Sequence, residues 1–118
     1  MGLTNVKLKI SNPSNKNRTR EVTFLVDSGA FYSFVGTDVL KEIGIKPETT
    51  REFIMANGKT IKRKIGIARF HFRNVKGGAT VVFGEKDDEN LLGATTLEAL
   101  GLMLNPFKRE IIPITLTA

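Results

Sequence analysis

Cysteine is absent from all 118 residues. That excludes a disulfide framework, a thiolate nucleophile and any zinc site built on thiolates. Long hydrophobic runs are missing as well: no stretch approaches the roughly 20 apolar residues that span a bilayer. The first ten residues alternate polar and apolar and carry Lys7 and Lys9, a strand pattern rather than a signal peptide. No membrane partner is expected, and the default compartment is the cytoplasm. Histidine occurs once, as His71 between Phe70 and Phe72, and reads as a structural residue of a strand. There is no Gly-rich phosphate loop and no aromatic RNA-binding signature. Asp87-Asp88-Glu89 lacks the glycine and the twelve-residue spacing of a calcium loop and reads as a solvated loop. Neither a metal nor a cofactor is expected.

What is present is the composition of a folded chain, 41% hydrophobic and 25% charged. The length suits one domain, 1–118, with one modest core, and is too short for a two-lobed enzyme. The net charge is +6, with small basic clusters at Lys16-Asn17-Arg18-Thr19-Arg20 and between Lys59 and Lys64. Spread over hairpins, these charges read as solubility, and a nucleic-acid partner is not expected.

Val6, Leu8 and Ile10 alternate along a first strand, Ser11 to Arg20 reads as a polar loop, and Glu21 to Val26 as a second strand. After a Ser-Gly turn, Ala30 to Val35 reads as a short buried strand. Gly36-Thr37-Asp38 offers capping oxygens to a helix over Thr37 to Ile43, which Gly44 stops. A long hairpin follows, Arg51 to Ala56 rising and Lys59 to Phe72 descending, with Asn57-Gly58 at its tip in a type I′ turn. The apolar phase changes from Ile61, Ile65 and Ile67 to Phe70 and Phe72, which predicts a bulge or bend near Gly66 or Ala68. Lys76-Gly77-Gly78 reads as the next turn, Ala79 to Gly84 as a strand and Glu85 to Asn90 as a loop. A second short helix lies near Thr95 to Leu100, with Thr95 and Glu98 in capping-box spacing. Asn105-Pro106 turns the chain into a strand over Glu110 to Leu116.

Two segments echo one another. Gly36, Leu40 and Gly44 coincide with Gly93, Leu97 and Gly101 when Val35 to Ile45 is laid on Leu92 to Leu102, with apolar partners at the flanks. A strand, a glycine and a helix therefore occur twice.

The chemistry lies where the apolar run Thr23-Phe24-Leu25-Val26 delivers one carboxylate into Asp27-Ser28-Gly29-Ala30. Downstream stands Leu91-Leu92-Gly93, followed by the second helix. Asp-Ser-Gly-Ala, then Leu-Leu-Gly and a short helix, resembles the retropepsin-like, single-lobed aspartic proteases, over roughly Glu21 to Leu104. The resemblance implies an all-β fold, a closed antiparallel β-barrel with two short helices. It also implies an aspartic endopeptidase acting on peptides or unfolded proteins, with Asp27 as the catalytic residue. Ser28, Gly29 and Ala30 would support the active-site loop, with Leu91, Leu92 and Gly93 as its second-half support. Met55, Ala56, Asn57, Gly58 and Lys59 would form a flap that closes over substrate.

One Asp cannot perform this chemistry, because a carboxylate must take a proton from water while a second, protonated carboxyl polarises the scissile carbonyl. The chain holds a single Asp-Ser-Gly, so an active enzyme is expected to be a homodimer pairing Asp27 with its copy. By resemblance, strands at Val6 to Ile10 and Ile111 to Leu116 would interleave with a partner. Ala30 stands where strongly acid-active relatives carry Ser, which implies an optimum nearer neutral pH. Two alternatives stay open: a retropepsin-fold module that dimerises or binds peptides without cutting them, and a basic β-barrel that binds nucleic acid.

Overall fold

The computed structural model describes residues 4–115. Nine strands and two short helices follow one another in the order β1 (Asn5–Asn12), β2 (Asn15–Val26), β3 (Ser33–Gly36), α1 (Thr37–Glu42), β4 (Thr49–Ile54), β5 (Thr60–Phe72), β6 (Val75–Gly84), β7 (Leu91–Leu92), α2 (Ala94–Ala99), β8 (Leu102–Asn105) and β9 (Glu110–Pro113). Seven strands form one sheet in the order β1-β2-β7-β3-β6-β5-β4, and β1 pairs additionally with β5. β8 and β9 form a separate two-stranded sheet. No helix among the described residues is long and apolar enough to cross a membrane.

The sheet is mixed rather than antiparallel throughout. β2 runs parallel to β7, and β3 parallel to β6. Each parallel pair needs a long crossover, and the chain between β3 and β6, with α1 and the β4–β5 hairpin, supplies one. The internal echo becomes a pair of strand-glycine-helix units, β3–α1 and β7–α2, whose strands meet antiparallel at Phe34 and Leu91. Leu40 and Leu97 both point into the core, and the helices end at left-handed Gly44 and Gly101.

Alternation sets the core. Leu8 and Ile10 from β1, Val22, Phe24 and Val26 from β2, Ala68 and Phe70 from β5 and Val81 and Phe83 from β6 are buried together with Val35, Leu40 and Leu92. Fully burying a side chain of this kind contributes about 1.5–3 kcal/mol relative to leaving it exposed.

Several expectations give way. Ser11 to Arg20 is mostly a hairpin of strands, with β2 beginning at Asn15 and its first seven residues exposed. The backbone ladder, together with Arg18 donating to the Glu42 carbonyl at 2.7 Å and an Arg20–Glu42 ion pair, holds this polar arm against the end of α1. Composition hid the arm because both its faces are wet. The turn expected at Lys76-Gly77-Gly78 lies instead at Arg73-Asn74, since Phe72 pairs with Val75. Gly77 sits within β6, where a Cβ would stand 3.1 Å from the Ala99 carbonyl oxygen of α2. Its glycine marks a close approach rather than a turn.

No bulge interrupts β5, whose register with β4 is continuous from Thr60 to Ile65 and with β6 from Ile65 through Gly66 and Ala68 to Phe72. The phase changes because different faces are covered: Ile61 and Ile65 are half-buried on one, Ala68 and Phe70 fully buried on the other. The capping-box spacing at Thr95 and the hydroxyls before α1 make no side-chain caps; the N-cap residues are Gly36 and Gly93. The strand expected from Ala30 starts only at Ser33. β1 is paired with β2 along its length and with β5 at Lys9 to Ser11, so Lys9 and Ile10 offer no free edge to a partner. β9 is bonded to β8, and Leu116, the expected end of that strand, lies outside the described residues.

Candidate active site

β2 ends by alternation: Val22, Phe24 and Val26 go into the core, and the next residue, Asp27, emerges half-buried at the strand's end. The chain reverses there, with the Ala30 N–H donating to the Asp27 carbonyl at 3.0 Å. The Gly29 N–H donates to Asp27 Oδ1 at 2.9 Å, which points the carboxylate along the turn. Ser28 and Gly29 are exposed at the tip of this turn, and Ala30 is half-buried behind it.

The second half of the site braces the first. Leu25 and Val26 pair with Leu91 and Leu92, the Leu25 N–H donates to the Asn90 carbonyl at 2.9 Å, and the Asp27 N–H to the Leu92 carbonyl at 3.0 Å. Gly93 then passes so close to the first loop that a Cβ would stand 2.5 Å from the Tyr32 carbonyl carbon and oxygen. Only glycine fits that crossing. The opening N–H groups of α2, which have no partner within a helix, donate to the first loop: Ala94 to the Ala30 carbonyl at 2.8 Å and Thr95 to the Phe31 carbonyl at 3.0 Å. The Thr95 hydroxyl also donates to the Phe31 carbonyl at 2.8 Å; Thr95 stands inside α2, one residue past the position next to its N-cap Gly93.

A buried polar knot sits under the crossing. The Gly93 N–H donates to Ser33 Oγ at 2.9 Å, and Ser33 Oγ lies 2.5 Å from Thr96 Oγ1. Both side chains are fully buried. Asn90 adds a further tie, its Oδ1 accepting from the Gly36 N–H at 3.0 Å. Sequence reasoning passed over Ser33, Asn90 and Thr96. The one available signal was a serine between Tyr32 and Phe34, and a small polar residue there looks like any other.

Asp27 opens onto a cavity of about 820 Å³. Its wall is aromatic: Phe31, Tyr32 and Phe34 from the first loop and β3, Phe53 from β4, with ring centroids 4.9 Å apart for Phe31–Tyr32, 6.1 Å for Tyr32–Phe53 and 5.8 Å for Phe34–Phe53. Phe31 is two-thirds exposed, although the sequence suggested a buried strand position. Of the expected flap residues, Met55 and Ala56 line this cavity, joined by Ile54; Asn57, Gly58 and Lys59 do not and instead make the turn. Leu91 lines it too, while Leu92 is buried and Gly93 holds the crossing.

The hairpin tip is not a type I′ turn, because of its two residues only Gly58 has positive φ, at 85°. The Gly58 N–H donates to the Met55 carbonyl and the Met55 N–H to the Lys59 carbonyl, both at 2.8 Å, closing a three-residue loop with glycine in the left-handed position. Asn57 Oδ1 accepts from the Lys59 N–H at 2.9 Å.

An ion pair joins the hairpin to the opposite wall. Arg63 Nε donates to Asp88 Oδ2 at 2.7 Å and NH2 to Oδ1 at 3.2 Å, and Asp88 Oδ2 also accepts the Glu85 N–H at 2.8 Å. Both side chains are largely buried. The Arg63 hydrogen bond holds the Asp88 carboxyl below its usual range, against the opposing effect of burial. On another face, burial, helped by Lys9, Arg69 and Lys76, pushes the His71 imidazole down. Its Nε2 lies 2.9 Å from Ser11 Oγ, consistent with a structural residue.

Comparisons with known proteins agree with this geometry. The family model described as "gag-polyprotein putative aspartyl protease" matches residues 15–99. No curated protein sequence matches. Among solved structures, the EIAV protease in complex with the inhibitor HBY-793 superposes with a TM-score of 0.57 at 15% identity, covering 85% of this chain and 89% of its own. The Simian Foamy Virus (mac) protease gives 0.51 at 18% identity over 79% and 92%. A retropepsin-like aspartic protease from Rickettsia conorii gives 0.51 at 24% identity over 94% and 90%. These neighbours share the fold, and the matched segment carries Asp27 on its turn, Gly93 at its crossing and most of the chain between and around them. The chain belongs to the retropepsin-like family of gag-polyprotein aspartyl proteases.

Proposed function

We propose that the protein is an aspartic endopeptidase, one domain per chain, active as a homodimer in which Asp27 of each copy meets at a twofold axis. The observation that carries this reading is the Asp27 carboxylate, oriented by the Gly29 N–H at the edge of an aromatic cavity that the β4–β5 hairpin also lines. One copy supplies one such carboxylate, and the chemistry needs two. Two carboxyls about 3 Å apart share a single proton. The ionised one takes a proton from water as the water oxygen attacks the scissile carbonyl carbon. The protonated one donates to the carbonyl oxygen. Collapse of the tetrahedral intermediate breaks the C–N bond and sends a proton to the leaving amine. Ser28 and Gly29, exposed at the tip, support contact between the two loops.

The β1–β5 pairing supports closure of the main sheet into a barrel. Met103 and Phe107 of the β8–β9 hairpin and Ile114 just after it are exposed, which supports a partner contact there. A cytoplasmic setting fits the absence of cysteine.

The test is wild type against Asp27→Asn on a mixed peptide library across pH, with sedimentation on both. Wild type is expected to cleave as a dimer over a bell-shaped pH range. Asp27→Asn is expected to lose at least roughly a thousandfold in turnover, within the range that acid–base groups contribute, while staying folded and dimeric. Full activity in Asp27→Asn, or monomer alone at tens of micromolar, overturns the mechanism. Peptide binding without cleavage by wild type would favour a silent binding module.

A further inference from the structure

The cavity beside Asp27 differs in charge from the rest of the molecule. The chain carries a net charge of +6, yet no Lys, Arg or His lines this cavity. Its ionisable lining residues beyond Asp27, apart from the Tyr32 phenol, are Glu52 on β4 and Asp87, Asp88 and Glu89 on the loop before β7. A second cavity, of about 380 Å³, is mainly basic, with Lys41, Lys62, Arg63 and Lys64 in its lining beside the single carboxylate of Glu85. The ionisable side chains that share the first cavity with the aromatic wall, the Tyr32 phenol apart, are all carboxylates.

The acidic loop is also held in place. Asp88 is occupied by Arg63 through two hydrogen bonds and accepts the Glu85 N–H. With Asp88 fixed to β5, its neighbours Asp87 and Glu89 stand at the cavity as exposed carboxylates outside the ion pairs found among the described residues. Arg51, whose NH1 lies 3.4 Å from the Tyr32 hydroxyl, approaches the aromatic wall without lining the cavity.

We infer that this cleft selects cationic peptides: an aromatic or large aliphatic side chain packs on Phe31, Phe34 and Phe53, and a Lys or Arg next to it in the sequence is taken by Asp87 and Glu89. The inference rests on the endopeptidase reading and adds its substrate class. An apolar side chain next to a cationic one matches a cavity whose rings lie on the first loop, β3 and β4 and whose carboxylates Asp87 and Glu89 lie on the loop before β7. In a twofold dimer the acidic wall occurs on both sides of the dyad. The preference for Lys or Arg therefore appears on both sides of the scissile bond.

The test uses synthetic octapeptides with a central Phe-Leu pair, flanked on either side by Lys, Gln or Glu. One set has the ordinary central bond for cleavage, and another has a reduced central bond and a fluorescein label for anisotropy. With wild type at low salt, kcat/KM for the Lys peptides is expected to exceed that for the Gln peptides about fivefold, the Glu peptides being slowest. Exposed carboxylate–ammonium pairs give roughly threefold each, and raising salt to about 0.5 M reduces the preference below about twofold. In Asp87→Asn/Glu89→Gln the Lys-to-Gln ratio falls toward one. Equal cleavage of all three sets by wild type overturns the inference and leaves the endopeptidase reading standing. Tighter binding of the reduced Lys peptides without any cleavage does the reverse. Lys preference unchanged in the double variant overturns the assignment to Asp87 and Glu89, and no binding of any set overturns both readings.

Discussion

The loop crossing under Asp27 and the hairpin above it are built on opposite plans. At the crossing, backbone from both halves is in contact, Ser33 and Thr96 are fully buried, the Gly93 N–H donates to Ser33 Oγ of β3, and the Ala94 and Thr95 N–H groups donate to the first loop. At the hairpin, β4 is exposed except for the half-buried Phe53, Ile54 is four-fifths exposed, and order comes from the ladder and one glycine turn. The crossing beside the Asp27 carboxylate is tied by backbone and side-chain hydrogen bonds. The hairpin residues that line the cavity sit where little is buried, as in elements that open at low cost. Arg63–Asp88 is a largely buried polar link between β5 and the loop before β7.

The largest effect on that contrast is expected from Gly93→Ala. Its Cβ would meet backbone rather than a yielding side-chain end, so we expect about 3 kcal/mol of destabilisation, the upper end of ordinary overpacking, measured by urea unfolding. A neutral outcome would mean that the crossing is loose and that the contrast with the hairpin is mistaken.

Asp88→Asn cuts the link. It leaves a largely buried Arg63 without its full charge partner, and we expect a loss of about 2 kcal/mol, typical of hydrogen bonds to charged groups. The pH dependence has a definite sign. The folded Asp88 carboxyl lies below its ordinary value of 3.8, so its contribution is complete above 3.8 and is lost as pH falls through the lower folded value. Acid unfolding curves of Asp88→Asn should be flatter in that window than those of wild type.

Gly58→Ala tests the other side. At φ 85° an alanine is strained by about 1–2 kcal/mol, but only hairpin amides should feel most of it. Hydrogen exchange of β4 and β5 near the tip is expected to quicken, with the Asp27 loop unchanged. Quickening spread evenly over both regions would show that they do not open separately.

The smallest effect belongs to His71, away from both. Its folded imidazole lies below the ordinary 6.5, so stability is complete above 6.5 and declines as pH drops from there through the folded value. His71→Gln should remove that slope, readable as a smaller change in Tm between pH 7 and pH 5.

Sequence alone determined the parts that follow from local chemistry. An apolar run closing on Asp27-Ser28-Gly29-Ala30, a glycine after Leu91-Leu92 and two glycine-bounded helices are covalent patterns, and their periods survive whatever packs against them. Tertiary structure decided whatever depends on what lies opposite. Gly77 looked like a turn because a glycine does not say whether it bends the chain or makes room for α2. Ser11 to Arg20 looked like a loop because a hairpin wet on both faces has no apolar alternation to read. The change of phase in β5 looked like a bulge because sequence cannot say that one strand is covered first on one face and then on the other. Ser33, Thr96 and the Arg63–Asp88 link are separated in sequence by 63 and 25 residues, and only the fold brings those partners to hydrogen-bonding distance.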